Sequence, residues 1–472
     1  QPFFVREGAS IMEEQNRVLT GPVYRQILFF FFPILFGTFF QQLYNTADAV
    51  IVGQVLGTEA LAAVGGTTGV LANFVVNLFV GIASGTTVVV AQHFGAGNYN
   101  GLRRAVHTSM ALSFAGGAVL TVLGIALARG ALALLGTPSD VIGPATVYLR
   151  IYFLGVIPSF VYNVGSGILR AVGDTKRPLY FLIIACLVNI VLDVLLVAVI
   201  RMGVAGAALA TILSQLVSAL LTLRALTHTT RVYRYIPADT RFDKNTLRAV
   251  LNVGIPAGFQ SNLYSVSNML IQSVVNSFGT SVVAAWTAYG KIDSFFWMVT
   301  AAYGVAVTTF AGQNYGARRF DRVRKGVRVT LAMDLVSAAA IGALFYTFAP
   351  QLLSIFSRDA AVIEVGTTMA RFLPPLYLTY VTVEVLAGTV RGCGDAVMPT
   401  VLVALGVCVL RVAWVLIFVP SHRSLVMLFV SYPISWSLTS VLFVFYYLRF
   451  QKRQTLREQA ARRAAEEKEA SV

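Results

Sequence analysis

Apolar residues run along this chain in blocks of roughly 20, the length that crosses a hydrocarbon layer about 30 Å thick as one helix. Twelve such spans can be laid out, at 23–48, 60–90, 105–127, 145–168, 178–199, 203–224, 249–277, 283–311, 328–349, 367–388, 398–419 and 425–448. The pattern predicts an all-α integral membrane protein. Its boundaries follow: a cytoplasmic N-terminal segment 1–22, an N-lobe 23–226, a polar, basic linker 227–248, a C-lobe 249–449 and a cytoplasmic tail 450–472. The tail alternates acids and bases, as a solvated helix does.

Composition agrees, with 57% hydrophobic and 12% charged residues and a mean hydropathy of +0.73, far outside the soluble range. The net charge of +15 raises the question of nucleic acid. Its placement answers it: with the N-terminus in the cytoplasm, 28 of the 36 Lys and Arg fall in or beside cytoplasmic segments and 8 elsewhere. That is the positive-inside bias of an inner-membrane protein with both termini inside, and no nucleic-acid partner is expected. Cys186, Cys393 and Cys408 have no metal-ligand spacing, so neither a disulfide nor a metal site is expected. The chain opens on Gln1, with no signal-peptide shape.

Comparing the halves reveals a repeat offset by about 221 residues. Gln92, Gly95, Ala96, Arg103 and Arg104 match Gln313, Gly316, Ala317, Arg324 and Lys325. Gly167-x-x-Arg170-x-x-Gly173-Asp174-x-x-x-Pro178 recurs as Gly388-x-x-Arg391-x-x-Gly394-Asp395-x-x-x-Pro399, and Gly57-Thr58 with Ala62-Ala63 recurs as Gly279-Thr280 with Ala284-Ala285. Six spans per half is an even number, so both copies enter the membrane in the same direction as parallel repeats, two six-helix lobes with a cleft for cargo between them.

Charged groups inside the spans carry the chemistry, because an acid near mid-bilayer costs roughly 2.5–3.5 kcal/mol on insertion scales. Asn189 and Asp193 share a face of the fifth span, four residues apart. Gln41, Tyr44, Asn45 and Asp48 form a polar stripe on the first span. Counting residues from the outer turns puts Asp48, Asp193 and Thr211 at one depth, about 12–13 Å below their helix ends, with Asn189 about a turn deeper. Two carboxylates brought together cannot both stay charged without a proton or a bound cation such as Na⁺. The competing reading is a buried, hydrogen-bonded polar cluster. The second half places Leu270, Leu410, Trp414 and Tyr432 opposite Asp48, Asn189, Asp193 and Thr211, so this cluster belongs to one lobe.

The second half has polar residues of its own. Tyr377, Tyr380 and Glu384 share a face of the tenth span, where Glu384 either meets a cationic substrate or pairs with Arg411. Gln260, Tyr264, Asn268 and Gln272 lie on the seventh span; with the aromatic residues they suit flat organic cations. Asp293 reads as an interfacial ion pair with Lys291, and Arg170–Asp174 and Arg391–Asp395 as ties within cytoplasmic turns. An intramembrane protease reading of Gly392-Cys393-Gly394-Asp395 fails, since no second Asp motif pairs with it, and no P-loop is present. No enzymatic activity is expected.

Pro33 with Tyr44-Asn45-x-x-Asp48, the doubled Gly-Asp-x-x-x-Pro loops and Asn189-x-x-x-Asp193 resemble the multidrug and toxic compound extrusion (MATE) transporters, the Asn-x-x-x-Asp pair in particular their DinF-like bacterial branch. The resemblance runs from about Thr20 to Phe450. It implies an antiporter of the bacterial inner membrane, a monomer among membrane lipids, that expels a small organic, cationic compound in exchange for H⁺ or Na⁺. It also implies a coupling-ion site at Asp48, Asn189, Asp193 and Thr211, with no other cofactor. Pro33 then marks a bend in the first helix, either static or moved by protonation at Asp48. Tyr377, Tyr380, Glu384, Gln260 and Asn268 are candidate substrate contacts. A lipid or lipid-linked oligosaccharide flippase of the same superfamily is the alternative, though its cleft would carry more Arg and Lys for phosphate.

Overall fold

The computed structural model describes residues 18–139, 141–422 and 424–470, which form helices joined by turns, with no strand among them. Without water in the hydrocarbon layer, every backbone N–H and C=O must pair within its own segment, and a helix does this with no partner strand. The spans are α1 Val23–Gly57, α2 Ala63–Gly95, α3 Tyr99–Leu134, α4 Ile142–Ala171, α5 Lys176–Val199 and α6 Val204–Thr227. They continue as α7 Lys244–Asn276, α8 Thr280–Gly316, α9 Phe320–Thr347, α10 Ala360–Gly392, α11 Val397–Ser421 and α12 Leu425–Leu456. Among the described residues eleven of these are long and apolar enough to cross a membrane, counting α4 and α10, bent by 46° and 52°, as one span each. The twelfth, α7, is more polar because it carries Gln260, Ser261, Asn262 and Asn268. Twelve spans in two repeats are thus present as the hydropathy pattern predicts.

The outward faces are apolar. Val122, Leu123 and Leu127 of α3 and Leu187, Val191 and Val199 of α5 are exposed, as residues facing lipid are. Helix α1 continues through Pro33 and departs from helical geometry only at Gly57. Helix α12 runs on as helix to Ala470, in keeping with the alternating charges of the tail.

The doubled Gly-Asp-x-x-x-Pro motif has a backbone explanation. Gly173 and Gly394 take φ of +95° and +99°, the left-handed turn that ends a helix and favours glycine. Asp174 N–H returns to Leu169 O (2.9 Å) and Asp395 N–H to Val390 O (3.1 Å). Each Asp side chain then starts the next helix, accepting from Arg177 N–H or Met398 N–H at 3.3 Å. Asp174 pairs with Arg177 (3.3 Å), and Asp395 accepts from the Tyr446 phenol. The expected Arg170–Asp174 and Arg391–Asp395 ties are not made, because both acids are used as caps.

The contacts divide the chain into two compact units, Gln1–Ser265 with Gly312–Ala317, and Val266–Ala311 with Arg318–Val472. The first half of α7 belongs to the first unit because Gly254 and Gly258 lie against Gly81 and Gly85 of α2, where an added Cβ would meet backbone atoms at 2.3–2.8 Å. The end of α8 joins the same unit through a reciprocal crossing: a Cβ on Gly95 would fall 1.9 Å from Gln313 O, and one on Gly316 would fall 2.0 Å from Gln92 O. The repeated Gln-x-x-Gly is thus a contact in which each copy's glycine receives the other copy's backbone.

The first unit is packed around Phe79 stacked on Phe160 (4.5 Å) with Leu102, Leu149 and Ile168. The strap 228–243 is fastened to α3, with the Tyr235 ring against His107 (5.5 Å) and Asp243 N–H donating to Thr108 Oγ1 (3.0 Å). The second unit gathers all four tryptophans of the chain, Trp286, Trp297, Trp414 and Trp436.

Replacing Gly95 or Gly316 with Ala is expected to lower stability by about 1–3 kcal/mol, the cost of overpacking. Gly130→Ala, where nothing lies within 4 Å of the new methyl, serves as the control. Thermal unfolding of the purified protein in detergent measures it; equal melting of all three variants would discount the crossing.

Candidate functional site

Five helices of the first unit, α1, α2, α4, α5 and α6, line a cavity of about 370 Å³. Helix α1 contributes Gln41, Tyr44, Asn45 and Asp48, the predicted stripe, and α4 contributes Tyr148 and Tyr152. Helix α6 contributes Thr211, Ser214, Gln215 and Ser218, with the same i, i+3, i+4, i+7 spacing as the α1 stripe. Two polar stripes thus line one space. Of this second stripe only Thr211 was anticipated, although its spacing is as regular as that of the first; Tyr148 and Tyr152, four apart on α4, are a further signal of the same kind.

The acids are arranged in depth. Asp48 opens onto the cavity, whereas Asn189 and Asp193 of α5 are fully buried behind it. The Asp48 and Asp193 carboxyls are in interaction range of each other, and Asn189 is in range of Asp193. None of these approaches has hydrogen-bond geometry: both Asp193 oxygens, Asp48 Oδ1 and both polar atoms of Asn189 are buried without a partner among the described residues. Tyr44 faces Thr211, and Tyr152 faces Gln215. Thr211 Oγ1 donates to Ala207 O at 3.0 Å, which leaves its lone pairs for another donor or a cation. The helix changes to a wider π-helical turn over Val194–Val199, immediately after Asp193, an irregularity that is common at functional sites.

Chemically, this is a pocket of oxygen donors around two carboxylates. Buried polar atoms without partners are costly, about 1–3 kcal/mol each and more when charged, and a proton or small hard cation would relieve several at once. Among the described residues no group of three or more His, Cys, Asp or Glu side chains could hold a metal ion.

Among the described residues, the helices of the second unit hold three buried or half-buried acids at positions unrelated to Asp48 and Asp193. Asp293 accepts from the phenols of Tyr377 and Tyr289 (3.3 Å for the latter) and from Trp297 Nε1 (2.6 Å). It therefore faces inward to three neutral donors and makes no ion pair with Lys291, contrary to the interfacial reading. Glu384 accepts from the Tyr380 phenol at 3.4 Å. Arg411 instead donates to Ser435 Oγ (3.1 and 3.0 Å) and lies over the Tyr432 ring at 4.2 Å, so the alternative of a Glu384–Arg411 pair is not realised. Asp334 of α9, fully buried, accepts from Thr300 Oγ1 at 3.2 Å and leaves Oδ2 without a partner. It was missed, although a lone acid in an apolar span is the same signal that marks Asp193. Of the candidate substrate contacts, Tyr377 and Tyr380 are buried in this unit, Gln260 is buried in the first, and Asn268 is exposed.

Twelve helices in two repeats, with a cavity in one of them that has one acid in its wall and another buried behind it, define a multi-pass membrane transporter of the two-lobe export type. The MatE family model matches residues 33–195 and 256–417, one stretch in each repeat, and the chain belongs to that family. It is 29% identical over 435 residues to the probable multidrug resistance protein YoeA of Bacillus subtilis, covering 90% of this chain and 93% of that protein. It is 27% identical over 374 residues to an FAD transporter of Shewanella oneidensis, covering 78% and 81%. A solved outward-facing MATE transporter of the MOP superfamily superimposes with a TM-score of 0.87 over 93% of this chain and 98% of that one, at 24% identity.

Removing the Asp293 carboxylate by Asp293→Ala strands the Trp297 indole N–H and one phenol proton, since the Tyr289 and Tyr377 hydroxyls also hydrogen-bond each other at 2.9 Å and one can donate to the other, at about 1–3 kcal/mol for each unsatisfied donor. A drop in thermal stability clearly larger than that of Asp359→Ala, an exposed helix-cap change, is expected by scanning fluorimetry. Equal melting would show the network to be dispensable.

Proposed function

We propose that this protein is a secondary active antiporter of the bacterial inner membrane that exports a small organic, cationic compound in exchange for inward H⁺ or Na⁺. The observation that carries the reading is the pair of carboxyls Asp48 and Asp193, one open to a cavity of about 370 Å³ and the other sealed behind it. Asn189 and Thr211 complete the proposed coupling site, and Gln41, Tyr44 and Asn45 line the approach to it. With both termini on the cytoplasmic side, the basic loops meet the positive-inside bias.

The coupling needs one negative site and two conformations. A proton or sodium ion at Asp48–Asp193 removes the charge that holds a cationic cargo, so loading the ion favours release of the cargo. To move an equilibrium from 1:99 to 99:1, the ion must bind one conformation about 10⁴-fold more tightly than the other. The relatives support export of drugs or toxic compounds by this family, and the one named as an FAD transporter shows that a flat aromatic anion deserves a place in the assay.

The test uses the full chain in liposomes, with ethidium as a cationic cargo and FAD as an anionic one, under an imposed proton or sodium gradient. Gradient-driven ethidium movement is expected in the wild type, falling to background in Asp48→Asn and Asp193→Asn while both variants remain folded. Normal exchange by both variants would remove the site, and transport of FAD but not ethidium would overturn the cationic reading.

A further inference from the structure

A second cavity in the first unit, of about 270 Å³, lies between the beginning of α3 and the strap. Arg103, Arg104, His107 and Thr108 form its α3 side. Its walls are fastened. Ile236 N–H donates to His107 Nε2 (3.1 Å), so the other ring nitrogen carries the proton and donates to Arg103 O (2.8 Å). Thr108 Oγ1, receiving Asp243 N–H, clips the far end of the strap. His107 is therefore a neutral strut, and the charge of the cavity is set by its arginines and aspartates.

The aspartates are already committed. Asp239 pairs with Arg103 at 3.5 Å. Asp243 caps α7, accepting from Thr246 N–H (2.9 Å) and Thr246 Oγ1 (2.6 Å). These two bonds hold its carboxyl below the usual carboxylate range, so it stays an ionised cap. Arg104 and the strap's Arg241 line the same space and make no ion pair among the described residues; Asp243 acts on them only at longer range. Two guanidiniums in the wall of one cavity, with the Asn100 amide beside them, suit a tetrahedral oxyanion, which guanidiniums can grip bidentately. The volume lies below the 300–1,000 Å³ of sites for drug-sized ligands, which separates it from the cargo cavity.

We propose that this cavity binds a phosphate group, with Arg104 and Arg241 as its ligands, and that bound phosphate ties the strap to α3. Phe242, between two residues of the cavity wall, is 51% exposed. An aromatic ring beside a basic pocket is the arrangement expected where lipid headgroups meet a membrane protein, which favours an anionic phospholipid over a soluble phosphate as the source. Only the choice of source rests on the proposed cytoplasmic orientation; the site does not depend on what the transporter carries.

The full chain in a neutral detergent is titrated with dioctanoyl-phosphatidylglycerol, inorganic phosphate and uncharged dioctanoylglycerol, and binding is followed by thermophoresis. Saturable binding of the phosphatidylglycerol is expected, about tenfold weaker in Arg104→Gln with Arg241→Gln and weakened less by the paired Lys substitutions, which keep the charge. Competition by inorganic phosphate at comparable concentration would support the site with a soluble ligand; binding without such competition assigns it to a lipid. Failure of both phosphate probes to bind the wild type, equal binding of dioctanoylglycerol, or unchanged affinity in the folded Gln variant would overturn the proposal. Loss of ethidium transport with phosphate binding intact would fault the transport reading alone.

Discussion

A carboxylate inside an apolar layer has to have its oxygens satisfied or its charge removed, and Asp293 and the Asp48–Asp193 pair meet that requirement in opposite ways. In the second unit Asp293 is surrounded by two phenols and an indole, so its oxygens are satisfied by the protein itself. In the first, Asp193 has both oxygens buried without a partner beside the carboxyl of Asp48. The satisfied acid needs nothing further; the unsatisfied pair carries the desolvation cost of polar atoms that the protein leaves without a partner. The difference lies in the neighbours, since phenol donors need nothing from outside and a second carboxyl does.

The repeat explains why two such different sites sit on one architecture. The Schellman turns at Gly173 and Gly394, the helix-starting aspartates after them and the bends in α4 and α10 occur at matching places in the two copies. Those are backbone features. The side chains that face inward are free to diverge, and Trp414 stands where the first copy has Asp193. Duplication therefore preserved the frame and left the chemistry asymmetric.

Much of this was legible beforehand. Span number, the repeat and the convergence of Asp48, Asp193 and Thr211 follow from hydropathy, offset and helical rise, because each is a property of spacing. What was not legible depended on direction rather than spacing. Asp293 could be paired with Lys291 by proximity in sequence, but its helix turns the carboxylate towards Tyr289, Tyr377 and Trp297. Arg170 and Asp174 are four apart, yet the left-handed Gly173 between them ends the helix and sends the acid to cap the next one. The α6 stripe and Asp334 are a different matter: their spacing and setting were visible, and the rule that found the α1 stripe and Asp193 applies to them unchanged.

The make-up of the first unit bears on how the chain is assembled during synthesis. Its packing needs the first half of α7 seated on α2 at Gly81 and Gly85, and the end of α8 crossed at Gly95. A nascent chain that has emerged only as far as the strap therefore presents α2 with two uncovered glycine seams. The first unit is not closed when its own repeat is finished; it closes only once the ribosome has passed Ala317, so translation of the second repeat is itself a step in folding the first.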